Sequence, residues 1–178
     1  IAFSKINDFE FPIDTSVSAE VVQKVNWVFD SVFHEFDSNR IKRSRAALVV
    51  HDGRLVAERY APGISASTPL IGWSMTKSIT NAMVGLLIQD GKLTLDKNNL
   101  FPHWQSDERK NITLDQLLRM CSGLAFEENY ARISDATRML FSEFSAGSYA
   151  SQQKLAYPVG TKWYYSSGTS NILQLLIA

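Results

Sequence analysis

The sequence predicts an α+β fold, an antiparallel sheet with flanking helices joined to a mainly helical subdomain. Three observations predict it. Apolar residues recur at helical spacing near the start, two short Val- and Leu-rich runs flank Asp52-Gly53, and helical periodicity returns from Thr76 onward. With 178 residues, 45% hydrophobic and 20% charged, the chain can bury a sizeable core and is too apolar for a disordered segment. Residues 1–178 read as part of a single domain, with a helix and the first two strands in 20–65 and a helical subdomain in 66–178.

Each element has its own signal. Val21, Val25, Val28, Phe29, Val32, Phe33 and Phe36 fall on one face of an amphipathic helix, which places His34 within it. The run "AALVVHDGRLVAERY" predicts two antiparallel strands, because Asp52-Gly53 suits the positive backbone angles of a tight hairpin. From Thr76, the residues Ile79, Ala82, Met83, Leu86 and Leu87 mark one helix face, Val84 and Ile88 nearly close the ring, and Gly91 is placed to cap the end. This helix is expected to be buried almost all round. "TLDQLLRMCSG" opens with a Thr113-to-Gln116 capping box and sets Leu114, Leu117, Leu118 and Cys121 on one face, making Cys121 a core residue. Residues 134–144 predict a short helix, "YPVGTKWYYSSGTS" a loop, and "NILQLLIA" the start of a last helix with no stop signal. Two strands alone are marginal in water, so the sheet is expected to be incomplete in this chain, to be finished by the C-terminal half of the same fold or by another chain.

Charge narrows the function classes. Eighteen basic and eighteen acidic side chains balance to zero, so no global field recruits nucleic acid or an anionic membrane. The one basic run, Arg40 to Arg45, reads as a solvated loop ahead of a strand. His34, His51 and His103 lack ligand spacing, which points to no metal and no cofactor. No run reaches the length of a membrane span. The opening "IAFSK" has neither a methionine nor a signal-like segment, as expected where a targeting sequence has been removed. The single cysteine, Cys121, excludes an internal disulfide and leaves the compartment open, with a periplasmic or secreted location favoured over the cytoplasm.

One motif carries chemistry. In "GWSMTKSITNAMVGLL", Ser74 precedes Lys77 by three residues, so both lie on one face of a helix's first turn, where free N–H groups and the dipole favour developing negative charge. Flanking Trp73, Met75 and Ile79 are expected to exclude water and push the lysine toward the neutral form that can take a proton from a serine hydroxyl. About one Ser-x-x-Lys is expected by chance in such a chain, and a second copy, Ser151 to Lys154, stands in a polar segment where both side chains can face water. The loop "PVGTKWYYSSGTSN" supplies a partner: Tyr165 can lose its proton more easily beside an ammonium and relay it, with Ser167 two residues on facing the same cleft.

Together, "SMTK", "DGKLTLD", "LLRMCSGL" and "GTKWYYSS", in this order and spacing, resemble the serine hydrolases related to class C β-lactamases and penicillin-binding proteins. That group includes carboxylesterases and 6-aminohexanoate-dimer hydrolases. The resemblance runs from about Ala46 to Ala178 and implies a β-lactamase/transpeptidase-like fold, of which this chain is the N-terminal portion. It implies Ser74 as the acylating nucleophile, Lys77 as its activating partner and Tyr165 as the proton shuttle, with Tyr164 the adjacent alternative. "FEENY" resembles the segment in which 6-aminohexanoate-dimer hydrolases carry a tyrosine assisting amide cleavage, which makes Tyr130 a candidate.

Two departures qualify the resemblance. Ser167 stands where lactamases carry the Asn of Tyr-x-Asn, and a hydroxyl cannot present a side-chain amide to a β-lactam carbonyl. The closing Lys-Thr-Gly or His-x-Gly strand is missing, since His51-Asp52-Gly53 sits in the early hairpin. The expected reaction is ester or amide cleavage through an acyl-enzyme on a small-molecule substrate, the oxyanion held by the Ser74 N–H and an N–H from that strand, so the 178 residues alone are expected to be nearly inactive. Three alternatives remain: a true β-lactamase or DD-peptidase, a non-catalytic penicillin-binding-like interaction protein, and an α/β-hydrolase. For the last, "GWSMT" misses Gly-x-Ser-x-Gly only at Thr76.

Overall fold

The computed structural model describes residues 12–178, and the opening "IAFSK" lies outside them. The described residues divide into two units after Leu70.

In the first unit, helix α1 spans Ala19–Phe33 and is followed by strands β1 (Ala46–His51) and β2 (Arg54–Tyr60), paired antiparallel. Ser18 caps α1 by accepting from the Val21 N–H. The helix ends before His34, and Phe36 lies beyond it and exposed, so both leave the predicted helix. Its inward stripe is also narrower than the sequence suggests: only Phe29 is buried, and Val21 and Val28 face solvent. Arg59 on β2 reaches Asp30 at 2.5 Å and lies over the Phe29 ring at 5.4 Å, tying helix to hairpin. The hairpin turns as predicted, with φ of 49° at Asp52 and 72° at Gly53, the left-handed pair of a two-residue turn. A bulge between Val49 and Val50 shifts the register midway.

The second unit is helical, which makes the described chain an α+β arrangement. Helix α2 (Thr76–Gln89) follows a single 3-10 turn over Trp73–Met75. Gly91, with φ of 68°, ends it by donating to Ile88 while the Lys92 N–H donates to Leu87, a pair of bonds that closes the last turn. The prediction of burial all round fails here. Only Thr80 and Val84 are buried on α2, while Ile79, Met83 and Leu86 are exposed, so its apolar residues are not matched by core contacts on every side.

Helix α3 (Leu114–Leu118) has the predicted capping box, with Thr113 and Gln116 each bonding the other's N–H. It stops earlier than read, because Met120 turns left-handed at φ of 57°, and Cys121 falls after the helix although it is buried. Helices α4 (Asp135–Phe141), α5 (Ala146–Ser151) and α6 (Ser167–Ile177) complete the unit. Two departures from sequence reading stand out. The segment around Ser151 is helical, and Ser151 is buried with its hydroxyl on the Ser148 carbonyl instead of in water. And α6 begins at Ser167 inside the predicted loop, four residues before Asn171, capped by the Ser166 hydroxyl.

The core of this unit holds Val84, Trp104, Ile112, Leu114, Leu117, Met139, Ile172 and Leu173. Trp104 is wholly buried and donates its indole N–H to the Ser151 carbonyl at 2.6 Å. Leaving such a carbonyl unpaired would cost on the order of 1–3 kcal/mol. Helix α6 packs on α5 through small residues. A Cβ at Gly147 would lie 2.6 Å from the Asn171 carbonyl oxygen, and one at Gly168 would lie 2.5 Å from the Phe126 ring. Since a backbone carbonyl cannot swing aside, Gly147→Ala should push α5 off α6 and lower stability by about 1–3 kcal/mol, seen as an earlier midpoint in urea unfolding. An unchanged midpoint would mean that the two helices are free to separate.

Candidate active site

Ser74 sits in the middle of the 3-10 turn that leads into α2. Trp73 before it has φ of 43°, a region that bulky side chains seldom occupy and that costs on the order of 1–3 kcal/mol. The turn is held by the Met75 N–H on the Gly72 carbonyl at 3.0 Å and by the Thr76 hydroxyl on the Trp73 carbonyl at 2.5 Å. No strand leads directly into Ser74, since β2 ends at Tyr60 and residues 61–72 form no strand, so the serine does not sit on a strand-to-helix elbow of the α/β-hydrolase kind.

Lys77, one turn along, donates from Nζ to Ser74 Oγ at 3.0 Å. Tyr165 arrives from the other side of the unit, its hydroxyl 2.8 Å from Ser74 Oγ, and Lys77 Nζ lies 4.9 Å from the centre of its ring. Tyr165 rather than Tyr164 reaches the serine because the loop is fastened just before it: the Gly160 N–H donates to the Cys121 carbonyl and the Tyr164 N–H to the Met120 carbonyl. Directly after Tyr165, Ser166 caps α6 and fixes the direction of the next turn.

Ser167, the first residue of α6, is also in the cluster, its Oγ 3.2 Å from Lys77 Nζ. Tyr130 stands one layer back. Its hydroxyl donates to Glu128 at 2.6 Å and lies 3.3 Å from Ser167 Oγ, and it makes no hydrogen bond to Ser74. Glu128, which the sequence does not single out although it stands in "FEENY", accepts from Tyr130, from the Ser167 hydroxyl at 2.5 Å and from the Ser167 N–H at 2.8 Å. Its two-residue spacing from Tyr130 is the only sequence signal, and nothing in the chain order says that Ser167 will meet it. The second Ser-x-x-Lys, at Ser151 and Lys154, is elsewhere and makes no Ser–Lys contact.

The electrostatics differ from the sequence picture. Trp73, Met75 and Ile79 are all well exposed and do not seal the lysine from water, and Ser74 itself is open to solvent. Hydrogen bonding takes the place of desolvation. The Tyr165 phenol is held below the usual tyrosine range, first by its bond with Lys77 and then by its bond with Ser74, against a smaller opposing effect of burial. Tyr130 moves the other way, raised first by burial and then by its bond to Glu128. Beside Ser74 opens a cleft of about 370 Å³, walled by Ile71, Trp73, Met139 and Leu140 with Asn171 and Gln174 across from them. That volume suits a small, largely apolar group next to the serine.

Comparison with known proteins gives the family and the fold. A family model described as Beta-lactamase matches residues 29–178. The chain belongs to the β-lactamase family. A solved structure of a Bacillus anthracis protein assigned as a 6-aminohexanoate-dimer hydrolase superposes with a TM-score of 0.65 over 86% of this chain at 20% identity. This β-lactamase-family chain spans 42% of that protein's length, and at such identity the likeness is one of fold. No curated protein matches by sequence. The described helices and two-stranded antiparallel sheet fit part of the α+β β-lactamase/transpeptidase-like fold.

The tyrosine shift has a direct check. The sign follows from its cause: a lysine donor beside the phenol stabilises phenolate, so the proton leaves at lower pH than from free tyrosine. Difference absorption at 295 nm, wild type minus Tyr165→Phe, should show a titration midpoint below the ordinary tyrosine value of about 10, and Lys77→Met should move it up. A midpoint unaffected by Lys77→Met would deny the coupling.

Proposed function

We propose that this chain carries the nucleophile and proton-transfer groups of a serine hydrolase that cleaves ester or amide bonds through an acyl-enzyme. The observation that supports it best is the convergence on one oxygen: Ser74 Oγ lies 3.0 Å from Lys77 Nζ and 2.8 Å from the Tyr165 hydroxyl, at the wall of an open cleft. Nucleophile and base within hydrogen-bond reach is the arrangement that acyl transfer needs. A serine that merely capped a helix would have no use for a lysine and a tyrosine at once.

In the proposed reaction the Ser74 proton passes to the Lys77–Tyr165 pair as Oγ bonds to the substrate carbonyl carbon. The resulting oxyanion is stabilised by the Ser74 backbone N–H and by an N–H from the closing strand expected to complete the sheet. Tyr165, whose proton is held loosely, protonates the leaving group, and the bond from carbonyl carbon to alcohol oxygen or amine nitrogen breaks. Water then attacks the acyl-serine, gives its proton to the same pair, and releases the acid while Ser74 regains its hydrogen. Ser167 and Tyr130 are proposed to face the same cleft as secondary binding groups, with Ser167 offering a hydroxyl where a β-lactam would need a side-chain amide. Esters and amides are therefore preferred over β-lactams. The Bacillus anthracis protein of similar fold is assigned as a 6-aminohexanoate-dimer hydrolase, which is compatible with that preference.

Intact mass after treatment with a fluorophosphonate or a p-nitrophenyl ester tests the reading. With the sheet completed in the full-length protein, the wild type should gain one adduct, Ser74→Ala should gain none, and ester turnover should fall by roughly a thousandfold or more in that variant. Equal labelling of Ser74→Ala would place the nucleophile elsewhere. No label on the wild type would leave a binding protein that keeps the cleft without the chemistry.

A further inference from the structure

Ser167 has one proton to give and three neighbours. Its Oγ lies 2.5 Å from a Glu128 oxygen, 3.2 Å from Lys77 Nζ and 3.3 Å from the Tyr130 hydroxyl. A carboxylate only accepts, so the Ser167 proton points at Glu128, and the Tyr130 proton goes to the same carboxylate oxygen at 2.6 Å. What remains on Ser167 is its lone pairs, and the group placed to use them is the Lys77 amine. A free hydroxyl rotor would turn its own proton toward the lysine part of the time; this one is locked.

From this geometry we infer that Glu128 is a positioning residue for Lys77: through the Ser167 hydroxyl it creates a fixed acceptor that keeps the lysine amine on Ser74. The inference rests on the reading of Ser74 as nucleophile. Lys77, half-buried in the first turn of α2, has the longest flexible stem of the cluster, and a second anchor beside Ser74 removes much of that rotamer freedom. The other Glu128 oxygen has a separate task. It accepts the Ser167 backbone N–H at 2.8 Å, where a negative charge at the start of α6 is favourable in its own right.

The two tasks can be separated, because Ser167→Ala removes the hydroxyl and leaves the N–H. Glutamine in place of Glu128 has a single acceptor oxygen beside an NH2 donor, so it cannot accept from the Ser167 N–H on one side and from the Ser167 and Tyr130 hydroxyls on the other. Kinetics on a p-nitrophenyl ester, with thermal unfolding alongside, are measured for the wild type, Glu128→Gln, Ser167→Ala and the double variant. Glu128→Gln should lower kcat about tenfold or more with KM changed less than about threefold, and the double variant should be no slower than Ser167→Ala alone. The melting temperature should drop on changing Glu128 in both backgrounds, since the negative charge at the start of α6 is lost in both. Multiplying kcat losses in the double variant, or wild-type kcat in folded Glu128→Gln, would reduce Glu128 to a helix cap. Should Glu128→Gln not fold, Glu128→Asp is the second variant, with the carboxylate on a shorter stem and a kcat between the two. A wild type without Ser74-dependent turnover would instead refute the nucleophile reading. The crystal structure of Glu128→Gln still decides the positioning inference in that case, because Lys77 Nζ should leave Ser167, and a lysine unmoved from both serines would overturn it.

Discussion

The amino end of α6 is the joint on which the site depends. Within three residues the chain supplies the Tyr165 phenol, the Ser166 cap and the Ser167 hydroxyl, and the helix that follows buries Thr169, Ser170, Ile172 and Leu173. Close packing makes that helix rigid, and rigidity is what the three hydroxyls borrow from it. Gly147 and Gly168 let α5 and Phe126 approach α6 more closely than any side chain would permit. A change in that packing would be felt at Tyr165 and Ser167 before it was felt at Ser74, which is held by its own turn and by Lys77 on α2.

The site works by satisfied hydrogen bonds in the open, with little help from a dry interior. Ser74, Trp73 and Met75 are exposed, so dielectric shielding of the lysine is weak, and the shift of Tyr165 comes chiefly from what it touches. Ser74 Oγ receives from both a lysine and a phenol, so its position is fixed by two hydrogen bonds that arrive from different elements. The positive φ at Trp73 lies in the turn directly before Ser74, where such strain persists only if the surrounding bonds hold it. Around this centre Ile71, Met139 and Leu140 form apolar walls of the cleft that carry no charge.

Local signals were legible where they arose from neighbours in sequence. Asp52-Gly53 turned the hairpin, Thr113 and Gln116 built a reciprocal cap, and Gly91 ended α2, each because the bonds concerned span only a few residues. Misreadings came where burial decided. The apolar ring of α2 looked like a core helix, yet periodicity records only which residues could be buried, and Ile79, Met83 and Leu86 face solvent. The start of α6 was hidden because Ser, Gly and Thr are turn formers in isolation; here they are helical because a small side chain is needed against α5 and Phe126.

The sequence by itself determined the chemistry on offer: Ser74 and Lys77 three apart on one helix face, and a tyrosine and a serine two apart in a turn-rich loop. Helical geometry is local, so that first pairing needed nothing else. Tertiary structure alone decided that Tyr165 meets Ser74 across 91 positions of chain, that Ser167 meets Lys77 across 90, and that Glu128 closes on Ser167 across 39. Contacts at such separation depend on how α5, α6 and the loop ahead of them pack, and packing is a property of summed shape and volume that no short motif encodes.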